Sequence, residues 1–166
     1  MKRKTTPTIL TIGHSTKPID IFLATLKKHR IEVLVDVRSI PQSRFCPHFN
    51  RNALQSELAK QDIQYLWRGQ NLGGRGVNVG WDDAIEELVA LARKGTRVAV
   101  MCSEGDYRKC HRYTTLTPAF EVAGLEVVHV QYPPKKHSDK SEKNTPQNPL
   151  FSEFIGKTKS KKKPSI

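Results

Sequence analysis

Five side chains able to do chemistry fall in one short stretch of this chain: Cys102, Glu104, Cys110, His111 and Arg112. Cys102 follows a strand-like run and precedes a helix-like one. There, backbone N–H groups and a helix dipole can lower a thiol pKa and favour the nucleophilic thiolate. Arg108, Arg112 or a protonated His111 would add to that effect, and Glu104 and Asp106 would oppose it. His111 and His14 are the candidate acid/base groups, with Glu104 a base or the orienter of a histidine. Arg38, Arg44 and Arg75 are candidate clamps for an anion, joined by Arg112 and Ser15. Gly73, Gly74 and Gly76 surround Arg75, and their amides can form an anion nest.

The same residues admit other readings. Cys102 can be a small buried hydrophobe, and the arginines can be ordinary loop solubility with an ion pair to Asp36. The spacing Cys102-x5-Arg108 matches a cysteine-phosphatase loop, but Glu104 and Asp106 stand where a dianion would bind. Cys102, Cys110 and His111, with His14 or the Cys46/His48 pair, offer zinc donors. Adjacent helical residues point about 100° apart, which separates Cys110 from His111, and no metal is assigned. A redox disulfide between Cys102 and Cys110 is a further reading. Phe45, Tyr65 and Trp67 can stack on a base, although such aromatics are more often core.

Strands alternating with helices must position these residues. Thr8–Gly13, Glu32–Val37, Ile63–Trp67, Thr96–Met101 and Leu125–Val130 read as strands. Helices are expected after Ser15 or Thr16 as cap, after Asn50 or Asn52, over Trp81–Arg93, and over Lys109–Ala123. Pro118 must kink or restart the last of these. Such alternation argues for a parallel sheet covered on both faces, with ligands outside the carboxyl ends of the strands. Nearly every reactive side chain named here comes just after a strand and so shares one rim. A strand order 3-2-1-4-5 is assumed, which makes the first and fourth strands neighbours and sets His14 opposite Cys102.

The chain has 166 residues, 37% of them hydrophobic, and a net charge of +12. That length fits one domain with a single core, and no apolar run approaches the ~20 residues of a membrane span. Most of the surplus charge lies at the ends. Residues 131–166 carry nine lysines against Asp139, Glu142 and Glu153, and residues 1–7 carry three cations with no acid. The expected organisation is a basic extension at 1–7, a domain at 8–132 and a Lys-rich flexible tail at 133–166. Three cysteines do not make a disulfide framework, so a cytoplasmic protein with reduced thiols is expected.

Thr11-Ile12-Gly13-His14-Ser15, Val35-Asp36-Val37-Arg38-Ser39-Ile40-Pro41, Ser43-Arg44, Leu72-Gly73-Gly74-Arg75, Cys102-Ser103-Glu104 and Cys110-His111-Arg112 occur in order. Together they resemble the bacterial and archaeal domain-of-unknown-function family 488 (DUF488), over residues 9 to about 130. The resemblance implies a compact α/β fold and an enzyme, and names no reaction. Leu34–Arg38, with a later strand ending at a cysteine loop, also looks like a rhodanese-type sulfurtransferase. The expected fold is a single three-layer α/β domain of about five mostly parallel strands, with helices on both faces and a disordered basic C-terminal tail. The expected function is that of a small enzyme, a cysteine-dependent hydrolase or transferase, with an anionic substrate: phosphorylated small molecule, nucleotide or nucleic acid. A non-catalytic module that binds nucleic acid or a protein partner, aided by the tail, is the competing class. No cofactor is assigned and no membrane association is expected.

Overall fold

The computed structural model describes residues 6–132. Most of the basic N-terminal extension and the whole Lys-rich tail lie outside the described residues. Five strands form one parallel sheet: β1 Thr8–Gly13, β2 Val33–Asp36, β3 Gln64–Trp67, β4 Val98–Cys102 and β5 Glu126–His129. The helices between them are α1 Ile19–Lys28, α2 Arg51–Ala59, the short α3 Gly69–Leu72, α4 Trp81–Arg93 and α5 Thr117–Val122. No helix among the described residues is long and apolar enough to cross a membrane.

The sheet order is β3-β2-β4-β1-β5, not the assumed 3-2-1-4-5. The difference is an exchange of the inner strands β1 and β4, which burial does not distinguish, since both orders leave β3 and β5 at the edges. Every residue of β2 and β4 is buried, as inner strands of a covered sheet must be, whereas β3 and β5 are partly exposed along their edges. β4 is the central strand, hydrogen-bonded to β2 on one side and β1 on the other. The expected neighbouring of β1 and β4 is present in either order.

Alternation along the strands divides the core in two. Val98, Val100 and Cys102 of β4 face α4 and α5, packing with Val35, Leu88, Leu116 and Phe120. Ala99 and Met101 face α1 and α2, packing with Leu10, Ile12, Phe22, Leu54 and Leu58. Each fully buried Leu contributes roughly 1.5–3 kcal/mol. Cys102 is therefore the last inward residue of its strand on the α4/α5 side.

Local signals differ from the sequence reading in three places. Neither Ser15 nor Thr16 caps α1, because Pro18 occupies the N-cap position and Ser15 takes a left-handed conformation (φ 50°). Asn50 stands at the N-cap of α2, but its Oδ1 accepts from the Ser43 N–H (2.6 Å) in the preceding loop. Lys109–Ala123 is not one helix. A 3₁₀ turn at Tyr107–Lys109 gives way to an extended Cys110, then to a wide π turn at Arg112–Leu116, and α5 starts at Thr117 with Pro118 in its first turn. The Thr117 hydroxyl donates to the Arg112 carbonyl (2.7 Å), holding the wide turn.

Candidate functional site

The carboxyl ends of β1, β2 and β4 lie side by side, with Gly13 paired to Cys102 and Asp36 to Met101. The backbone continues this ladder past the strands: His14 N–H donates to the Cys102 carbonyl (3.0 Å) and Ser15 N–H to the Ser103 carbonyl (2.9 Å). Close approach makes Gly13 obligatory, since a Cβ there would lie 1.8 Å from the Glu104 carbonyl oxygen. Over this seam opens a cleft of about 510 Å³, walled by the loops after β2, α3 and β4.

Asp36, fully buried, anchors the β2 side. It accepts from the Arg38 N–H (3.0 Å), from Arg38 Nε (2.9 Å) and Nη2 (2.6 Å), and from the Tyr65 hydroxyl (2.7 Å). Arg38 Nη2 also donates to the Phe49 carbonyl (2.8 Å). Most of the Arg38 fork is thus committed to the protein, and only Nη1 turns toward His14 and the cleft. Two charges in so dry a place persist because their hydrogen bonds are nearly complete.

His14 is buried and stacked on Phe49 (4.2 Å between centroids). Its Nδ1 donates to the Ser15 carbonyl (2.7 Å), which leaves Nε2 as acceptor for Arg38 Nη1 (3.3 Å). Burial, then the Arg38 charge, push its pKa down to about 4. The ring is neutral near pH 7, so any base chemistry there is weak.

The β4 side carries the thiols. Cys102, Cys110 and His111 place two sulfurs and a ring nitrogen within 4.8 Å of one another. His111 Nδ1 lies 3.6 Å from Cys110 Sγ and 3.9 Å from Cys102 Sγ. The helical argument that kept Cys110 and His111 apart does not hold, because Cys110 is extended and its side chain turns back over β4. Gly74 lets the α3–α4 loop close over the His111 ring, since a Cβ there would lie 2.8 Å from Nδ1. The His111 Nε2 atom is buried and has no hydrogen-bond partner among the described residues.

Arg112 lies behind this cluster, 1% exposed. Its Nε donates to Cys110 Sγ (3.3 Å) and its Nη2 to the Glu104 carbonyl. None of the ion pairs among the described residues includes it. A buried guanidinium needs an anion, and the sulfur of Cys110 is the group placed to be one. The neighbouring Cys102 thiol, assisted by His111 and Arg112, holds the Cys110 pKa well below the ordinary thiol range. The neighbouring Cys110 sulfur, and then burial, push the Cys102 thiol up. The two thiols titrate as a pair, and the Arg112 contact favours the negative charge on Cys110 over Cys102.

Of the residues selected from the sequence, His14, Arg38, Arg75, Cys102, Glu104 and His111 line the cleft. Arg112 supports it from beneath. Arg44 is exposed on the β2–α2 loop and Ser15 faces the far side of the β4 loop, and neither lines the cleft. Glu104 is exposed, and its Oε1 accepts from the Asp106 N–H (3.1 Å) rather than orienting a histidine. Arg108 pairs with Asp106 on the surface and does not line the cleft either. Cys46 and His48 make separate contacts, to the Ser15 and Lys17 carbonyls. Sequence reasoning missed Cys110 as the charged partner of Cys102, and Lys109 altogether, although Lys109 comes after β4 like the rest of the rim.

Two sulfurs and an imidazole are a donor set that soft cations take, and the S···N separations approach the ~3.6 Å edge of an ideal tetrahedral site. Against that, the Arg112 guanidinium already supplies the cationic partner of Cys110. Residues 18–82 match the family model described as Domain of unknown function DUF488. That span holds the loop after β2 and Gly74, and it stops short of β4, Cys102 and Cys110. No curated protein matches the chain.

Proposed function

We propose that the cleft is the active site of a cysteine-dependent enzyme, nucleophilic at sulfur, acting on an anionic substrate. The observation that carries this reading is the buried Arg112 guanidinium whose Nε meets Cys110 Sγ (3.3 Å) beneath an open cleft. A thiolate kept ready at neutral pH is a nucleophile that needs no separate base. Arg75, Lys109 and the Nη1 of Arg38, which has one N–H besides that given to His14, give the cleft a cationic lining suited to phosphate or carboxylate. Cys110 Sγ bonds to the electrophilic atom of the substrate, and the leaving group departs with its electron pair. The Cys102 proton, or the His111 N–H beside both sulfurs, neutralises that leaving group. This reading assigns the first attack to Cys110 and the proton to Cys102. The non-catalytic alternative depends on the lysine tail, which lies outside the described residues.

The test is alkylation of Cys46, Cys102 and Cys110, measured separately by peptide mass spectrometry across pH, with and without chelator and with inorganic phosphate or pyrophosphate. Cys110 is expected to react fastest, at a rate still high well below the ordinary thiol pKa, and to be protected by the anions. Equal slow reaction of all three cysteines overturns the reading. Reactivity that appears only after chelation replaces it with a metal centre.

A further inference from the structure

The cleft contains two sulfurs, and both are equipped to carry charge. Cys110 Sγ receives Arg112 Nε and faces His111 Nδ1. Cys102 Sγ is faced by the backbone N–H groups of Ser103 and Glu104, which favour its thiolate, and by the Ser103 hydroxyl (4.0 Å). Arg112 Nε reaches Cys110 Sγ and makes no hydrogen bond to Cys102, so Cys110 is read as the one charged at rest and the second position as prepared but uncharged.

That arrangement suits one kind of covalent intermediate. An acyl or phosphoryl group on Cys110 would need a positioned base to activate water. Among the described residues that line the cleft, the one carboxylate, Glu104, is exposed and turned to the Asp106 amide. The His14 Nε2 lone pair is held by Arg38. Nothing in the cleft is set to aim water at Cys110, whereas a second sulfur lies within 4.8 Å of it.

We propose that Cys110 and Cys102 act as a dithiol that reduces the S–S bond of an anionic disulfide by two electrons. The proposal rests on the reading of Cys110 as the resting thiolate. In the first step Cys110–S⁻ attacks R–S–S–R′, a Cys110–S–S–R bond forms, and R′–S⁻ leaves with the electron pair. Cys110 is now neutral, and the Arg112 charge has lost its partner. That loss favours ionisation of Cys102, whose proton passes to R′–S⁻. In the second step Cys102–S⁻ attacks Cys110 Sγ, a Cys102–Cys110 disulfide forms, and R–S⁻ leaves. The substrate gains two electrons and the dithiol loses them. A low-molecular-weight thiol restores the reduced pair by the reverse exchange. Closing the bond brings the sulfurs from within 4.8 Å to about 2.05 Å. Cys102 is fixed at the end of β4, so the movement falls to Cys110, in the irregular segment between the 3₁₀ and π turns.

The experiment uses the full chain and the anionic aromatic disulfide 5,5′-dithiobis(2-nitrobenzoate), with release of the coloured thiolate recorded in time. The expected result is a rapid first release from Cys110, then a second whose rate does not depend on reagent concentration. Peptide mapping should then find Cys102 joined to Cys110, with Cys46 scored separately. Cys102→Ser should release a single equivalent and hold the mixed disulfide on Cys110. Stable reagent adducts on both cysteines of the wild-type chain, or a second release proportional to reagent, overturn the proposal while leaving the thiolate reading intact. Absence of any rapid release refutes the thiolate reading itself. The wild-type kinetics decide the matter even if a variant fails to fold.

Discussion

Acid should unfold this protein through His14 before it does so through most carboxylates. The perturbation is protonation of a ring that is 3% exposed, stacked on Phe49, and faced by the Arg38 guanidinium at 3.3 Å. Asp36 lies beyond Arg38 and favours the charged ring, while His48, packed on the same Phe49, opposes it. Burial dominates, and the pKa falls from the ordinary 6.5 to about 4. The unfolded chain therefore binds this proton at a higher pH than the folded one. The resulting stability is fully present above the ordinary value and is lost as pH falls toward the folded one. The whole shift corresponds to about 3 kcal/mol, of which about 2 kcal/mol is lost between about pH 7 and about pH 5. Urea unfolding of the wild type and of His14→Gln, at a series of pH values, isolates the effect, because distant carboxylates cancel in the difference. Gln can still accept a hydrogen bond from Arg38 and does not titrate. The wild type should lose its margin over the variant as pH drops. Parallel curves within a few tenths of a kcal/mol would refute the reasoning, as would a ring titration near the ordinary value by NMR.

Other consequences are equally open to measurement. Arg112→Met removes the counter-ion of Cys110 and should slow alkylation of that cysteine at neutral pH by tenfold or more, on the order expected for loss of a thiolate. Asp36→Asn leaves Arg38 buried without its anion and should cost about 3–5 kcal/mol in chemical denaturation, against about 1 kcal/mol for Tyr65→Phe, which removes one hydrogen bond. Gly13→Ala drives a Cβ into the Glu104 carbonyl and should destabilise the fold by several kcal/mol, on the order of 4. Gly74→Ala meets the side-chain ring of His111 first, so it should melt within a few degrees of wild type while changing the alkylation rate of Cys110.

The sheet and its rim were legible because their signals are local. Nearly continuous apolar runs such as Val33–Val37 and Val98–Met101 specify covered strands, and the residues just past each strand must share one edge. The strand order was not legible, because two inner strands of similar composition can exchange neighbours without altering either pattern. Lys109–Ala123 misled for a different reason. Its apolar spacing is helical, but the buried Arg112 and the Thr117–Arg112 hydrogen bond widen the turn, and this frees Cys110 to lie over Cys102. Arg38 looked like a substrate clamp, yet Asp36 two residues earlier reaches its Nε and Nη2. The sequence had raised that pairing only as the plainer alternative. Arg112 became intelligible only once its burial was known, since spacing alone does not distinguish a guanidinium facing a substrate from one facing a thiolate.

The central position of β4 also governs how the chain can come to be folded. β1, β2 and β3 are complete by Trp67, yet β1 and β2 do not pair with each other, and the strand that joins them starts only at Val98. During synthesis the first half of the protein therefore waits with three inner strand edges open, both of β1 and one of β2, which invites pairing with other chains. The segment 18–82 that matches the family model has β2 and β3 but neither β1 nor β4, so expressed alone it should not hold a native sheet. Insertion of β4 closes the gap and, in the same event, delivers Cys102 to the rim. Assembly of the sheet and assembly of the reactive cluster are then a single cooperative step, and a chain that has not finished folding carries no paired thiols to misuse.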